Sequence, residues 1–99
     1  MILVVGTVRV PEEAFASARD AMHTMLTKTR NEDGCIRYQF AQDVMDPQLL
    51  VISEAWRDRD ALMAHGKAPH MAEWRQAMGA VGVIERDLRM YETGEGTPI

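Results

Sequence analysis

Tyr38, Trp56, His65 and His70 can each handle a proton or hold a developing anion, and they fall at the ends of short, distinctive strings: E-D-G-C-I-R-Y, E-A-W, L-M-A-H and A-P-H. A neutral imidazole takes up a proton near pH 7. An indole N–H or a phenol O–H donates to a developing anion, and does so most effectively in a dry cavity. Met22, Met25, Met63, Met71 and Met78 add polarisable, adaptable side chains suited to an apolar lining. Together these residues predict a hydrophobic small-molecule pocket with proton-handling groups.

Each of these side chains also has a purely architectural use. His65 precedes Gly66 and can cap a helix end, and His70 follows Pro69 and can serve a helix N-terminus. Trp56, Trp74 and Tyr38 are large enough to be core. Glu54 lies in an apolar run, where an unpaired carboxylate is costly, so it needs a partner or a raised pKa. An ion pair to Arg37 or Arg57 is the expected solution, making Glu54 a structural polar residue. Cys35 is expected to behave as a small core residue, and His23 as a solvated one.

Composition removes several classes of function. Fifteen acidic residues stand against 11 basic ones, and the basic residues are scattered, which argues against nucleic acid as a partner. One cysteine allows no internal disulfide and no Cys-rich zinc site, and the cytoplasm is the default compartment. The apolar start, M-I-L-V-V-G-T-V-R-V, reaches Arg9 well short of the roughly 20 residues of a membrane span, so no membrane association is expected. His65 and His70 would lie about 140° apart on one continuous helix at roughly 100° per residue, and converge only if Gly66 and Pro69 break it. A metal site from His65, His70 and Glu54 has no recognisable ligand spacing, so no metal is expected.

These residues must be positioned by a small set of elements. Residues 2–10 read as a strand stopped by Pro11, and Pro-Glu-Glu opens a helix whose stripe is Phe15, Ala18, Met22, Met25 and Thr29. Gly34 marks the exit turn. From Cys35 to Asp43 strict alternation puts Ile36, Tyr38 and Phe40 on one face. Asp46-Pro47 makes a turn, and Leu49–Trp56 is the antiparallel partner strand. Asp58 is a candidate N-cap for a short helix ending near Gly66. Pro69 opens another, with Met71, Trp74, Ala77 and Met78 facing inward, and Val81–Tyr91 is the last strand. Residues 1–92 thus form one domain, and 93–99 a loose tail or crossing arm.

The order β-α-β-β-α-β is a split βαβ, giving an α+β, ferredoxin-like fold with helices on one face of an antiparallel sheet. The first and third strands nevertheless carry apolar residues on both faces: Ile2, Val4 and Val8 against Leu3 and Val5, Leu50 and Ile52 against Leu49 and Val51. A homodimer packed sheet to sheet would cover the second face.

N-E-D-G-C-I-R-Y, S-E-A-W-R-D-R-D-A-L-M-A-H and A-P-H-M-A-E-W, spanning Glu32 to Trp74, resemble the antibiotic biosynthesis monooxygenase family of dimeric α/β barrels. Members resembling this chain include cofactor-free quinol monooxygenases, haem-degrading enzymes, an isomerase of a phosphorylated sugar and proteins without known activity. The resemblance implies a pocket between sheet and helices, with Glu54, Trp56 and His65 near its rim, joined by Tyr38 and His70. It implies oxidation of a small quinol or phenol by O2 with no cofactor, since a deprotonated, electron-rich phenol can itself pass an electron to oxygen. On this reading His65 is the base, Trp56 and Tyr38 are its catalytic companions, and His70, Met22, Met25, Met63 and Met71 contact substrate. Haem-degrading members are expected to carry an asparagine on the first strand, and here that strand has only Thr7 as a polar substitute. The competing expectations are a ligand-binding dimer without turnover and an isomerase of a small phosphorylated sugar or ketone, the latter needing a basic pocket from Arg9, Lys67 or Arg75.

Overall fold

A computed structural model describes all 99 residues. Four strands, β1 (Ile2–Arg9), β2 (Cys35–Gln42), β3 (Leu49–Trp56) and β4 (Glu85–Glu92), form one antiparallel sheet in the order β2-β3-β1-β4. Helices α1 (Ala14–Ser17), α2 (Arg19–Arg30), α3 (Arg59–Gly66) and α4 (Pro69–Val81) complete the chain. This is the ferredoxin-like α+β arrangement expected from the alternation of periods.

Local chemistry accounts for the element ends. Asp58 caps α3 through a 2.8 Å bond from the Ala61 N–H, and Pro69 occupies the first turn of α4 after an extended Ala68. Gly34 adopts φ +83° in the turn before β2, where an added Cβ would lie 2.6 Å from that of Ala61. The glycine therefore lets α3 approach the β2 entrance.

Three boundaries differ from the sequence expectation. The first helix is two pieces, because Ala18 departs from helical geometry (φ −102°, ψ 12°). The stripe survives the break: Ala14, Ala18, Met22, Met25 and Thr29 are buried, while Phe15 packs at its edge. Helix α4 continues to Val81 and is ended by Gly82 at φ 84°, so the last strand starts at Glu85 rather than at Val81. On β2 the register shifts between Cys35 and Arg37. The irregularity breaks strict alternation and leaves Ile36 60% exposed, while Tyr38 and Phe40 keep the inner face.

The core lies between the sheet and the helices and is built from Ile2, Val8, Leu50, Ile52 and Trp56 on the strands against Met22, Met25, Trp74 and Met78 on the helices. On the opposite face Leu3, Val5, Leu49 and Val51 are only partly covered, with Val5 38% exposed. After Glu92 the chain makes reciprocal hydrogen bonds between Thr93 and Met1, both 2.9 Å, and then runs exposed to Ile99. No helix is long and apolar enough to cross a membrane.

Candidate active site

Beside the core, between the inner face of the sheet and α4, opens a cavity of about 580 Å³. Val8, Ile52, Leu88, Met71, Trp74, Met78 and Val83 supply most of its wall, and Gly79 and Gly82 leave room on the helix side. Its polar groups are few: Tyr38, Glu54, Arg75 and Arg86. An apolar enclosure with a small number of placed polar groups is the usual form of a small-molecule site.

Glu54 sits on the inner face of the central strand β3 and is 7% exposed. Its Oε2 accepts the Trp56 indole N–H at 2.9 Å, a pairing made possible because residues i and i+2 of a strand share a face. The expected ion pair to Arg37 or Arg57 is absent: Arg57 instead grips Asp33 in a two-pronged contact and also Asp58. Burial therefore raises the Glu54 pKa, with the Trp56 hydrogen bond opposing it. Its other oxygen makes no protein hydrogen bond.

Tyr38, opposite Glu54 in the β2–β3 ladder, is buried, and desolvation reinforced by the nearby Glu54 carboxylate holds its phenol well above the usual range. It remains a hydrogen-bond donor at any physiological pH. Its ring stands edge-on to Trp56 and His65, at centroid separations of 6.3 and 5.3 Å.

His65 lies behind these aromatics and outside the cavity wall, 3% exposed, with its ring 4.7 Å from that of Trp56. Its Nδ1 meets Glu32 Oε2 at 2.6 Å, and His70 Nε2 reaches the same oxygen at 2.9 Å. The break between α3 and α4 is thus what brings the imidazoles together, and the acid joining them is Glu32, the first residue of the E-D-G-C string. His65 Nε2 is buried without a partner. One ligand atom from each of the three residues falls within 4.8 Å of the others, the composition of a two-histidine, one-carboxylate metal site. The acid–imidazole separations are hydrogen-bonding ones, shorter than the roughly 3 Å or more between ligands sharing one ion at about 2.1 Å. In this geometry the three side chains are joined by hydrogen bonds.

The remaining expected residues divide. Met71 lines the cavity, as does Met78. Met22 and Met25 are buried in the core, and Met25 and His70 border a separate, smaller depression of about 190 Å³. Met63 is 57% exposed on α3, outside the cavity wall. Trp56 is fully buried, with its N–H already committed to Glu54. Of the basic residues an isomerase pocket would need, only Arg75 reaches the cavity; Arg9 pairs with Asp46 and Glu85. Arg86 was missed because its strand alternates polar residues with little apolar signal, and only the β1–β4 register places it at the cavity.

The chain is thus a ferredoxin-like α+β domain holding an apolar cavity floored by a buried carboxylate and a phenol. Its sequence matches the antibiotic biosynthesis monooxygenase family over residues 1–77, and the chain belongs to that family. It is 36% identical over 67 residues, 68% of the chain, to Putative monooxygenase Rv0793 of Mycobacterium tuberculosis, and 26% identical over 94 residues, 95% of the chain, to the uncharacterized protein sll1783 of Synechocystis. These alignments span 65% and 64% of the two relatives' own lengths. Among solved structures, a putative antibiotic biosynthesis monooxygenase from Deinococcus radiodurans superposes with a TM-score of 0.90 at 28% identity, covering 100% of this chain and 98% of that one. The Rv0793 structure gives 0.83 at 26% identity over 98% of both chains.

Proposed function

We propose that this protein is a cofactor-free monooxygenase that oxidises a small quinol or phenol with O2 in the cavity between the sheet and α4. The observation that carries this reading is the buried Glu54 carboxylate, which faces an apolar cavity with one oxygen held by Trp56 and the other available. A carboxylate whose pKa is raised by burial is a stronger base than an exposed one. It takes the phenolic proton; the resulting electron-rich phenolate passes an electron to O2, and the Tyr38 hydroxyl donates to the developing peroxide. For a quinol with an unsubstituted ring position the balance closes without a further reductant: quinol plus O2 gives hydroxyquinone plus water. One oxygen atom enters the ring, and the substrate supplies all four electrons.

Glu54 here takes the base role expected of His65. His65, fixed by Glu32, acts through the Tyr38 and Trp56 rings it packs against and is a positioning residue. Two copies pair through the partly covered sheet face around Leu3, Val5 and Val51, which would bury apolar surface that the helices cannot reach.

Oxygen consumption by the chelator-treated protein with a panel of hydroquinones and naphthoquinols, corrected for autoxidation, tests the assignment. Saturable uptake that falls by roughly 100-fold in Glu54→Gln, within the range of general-base contributions, and less in His65→Gln is the expected result. Uptake unchanged in Glu54→Gln would remove its central residue.

A further inference from the structure

Arg9, Arg57, Arg59 and Arg89 are each paired with a carboxylate on the protein surface. Arg86, by contrast, has no acidic partner. Its strand register sets it opposite Val8, whose side chain is buried on the helix side of the sheet, so Arg86 faces the cavity while Asp87 and Arg89 face away. Arg75 reaches the same cavity from α4, with its guanidinium steadied by a 2.7 Å bond to the Gly66 carbonyl. Glu54 is the only acid in the wall.

Cation and acid stand at opposite ends of this space. Glu54 is opposite Val4 on β1 and Arg86 opposite Val8, four residues further along, or about 13 Å at roughly 3.3 Å per residue. Between them the wall is apolar, formed by Ile52, Leu88, Met71 and Met78. Resting on the reading of the cavity given above, we propose that its substrate is a hydroxylated aromatic carboxylic acid, with its hydroxyl at Glu54 and Tyr38 and its carboxylate at the mouth, gripped by Arg86.

The chemistry of the wall decides between anions. A sugar phosphate would strand many hydroxyl groups against apolar side chains, whereas a fused aromatic ring matches them. A planar guanidinium pairs with a carboxylate through two parallel hydrogen bonds, which an ammonium cannot reproduce. In a chain of net charge −4, two arginines in the wall of one cavity also provide the local field that an anionic ligand needs.

Calorimetric titration under nitrogen, so that no oxidation accompanies binding, compares 6-hydroxy-2-naphthoate with 2-naphthol at pH 7. The acid is expected to bind roughly tenfold or more tightly than the naphthol, as a hydrogen bond to a charged group provides. Arg86→Met should abolish that advantage, Arg86→Lys should restore only part of it, and 2-naphthol affinity should stay within about twofold throughout. Equal binding of the two compounds, or an advantage that survives Arg86→Met, would overturn the inference while leaving the phenol-oxidising reading intact. Binding of neither compound would overturn both.

Discussion

At the scale of single residues, Glu54 carries the proposed activity and also bears on stability. Its pKa is raised in the folded protein, so the fold favours the protonated form: that contribution is complete below the ordinary carboxylate range and is lost as pH rises through the folded value. At neutral pH the buried charge is therefore a cost. Glu54→Gln keeps an acceptor for the Trp56 N–H and should stabilise the protein at pH 7 by on the order of 1 kcal/mol, or roughly 4–8 °C in Tm for a domain of this size, with the gain vanishing near pH 4. Thermal unfolding across that pH range checks it; a destabilised variant at pH 7 would contradict the assigned cause. Trp56→Phe removes the hydrogen bond that lowers the Glu54 pKa, so the acid limb of the rate–pH profile should move to higher pH. That Glu54 needed a partner or a raised pKa was legible in the sequence, and so was its shared face with Trp56. Arg57 looks the better partner in the sequence only because its actual acids, Asp33 and Asp58, lie in turns whose geometry a sequence does not display.

Among the elements, the strand and helix order was readable because β-branched alternation and three-four spacing repeat over whole segments. The departures came from single residues: Ala18 splitting the first helix, Gly82 delaying β4, and the β2 irregularity that turns Ile36 outward. The convergence of His65 and His70 was anticipated from Gly66 and Pro69, whereas Glu32 as their common partner depends on tertiary approach across the β2 entrance. Gly6 carries a sharper constraint. It has φ 149°, and a Cβ there would sit 1.9 Å from the Asp87 carbonyl oxygen on the neighbouring strand. Gly6→Ala should lower stability by several kcal/mol, as backbone clashes in a central strand do. Gly79→Ala on α4, with nothing within 4 Å, should instead raise it by about 0.5–1 kcal/mol. Urea denaturation of the two variants should therefore move the midpoint in opposite directions; parallel shifts would mean that β1–β4 packing is not as described.

For the whole molecule, the helices cover one face of the sheet and leave Leu3, Val5, Leu49 and Val51 partly open on the other. The two-sided apolar pattern of β1 and β3 made this visible in the sequence; the β4 side of the cavity was not, because Arg86, Val83 and Leu88 reach it only through the β1–β4 pairing and the length of α4. Light scattering should give twice the chain mass, and Val5→Lys should shift the protein toward monomer by placing a charge in the seam. A wild-type monomer at micromolar concentration would contradict the pairing. The most direct test of the oxygenation itself is turnover of a naphthoquinol under ¹⁸O2, with mass analysis of the product and peroxide measured in parallel. One labelled oxygen per hydroxyquinone, no stoichiometric peroxide, and loss of both uptake and label in Glu54→Gln are expected. An unlabelled quinone formed with equimolar peroxide, or no product beyond autoxidation, would contradict it.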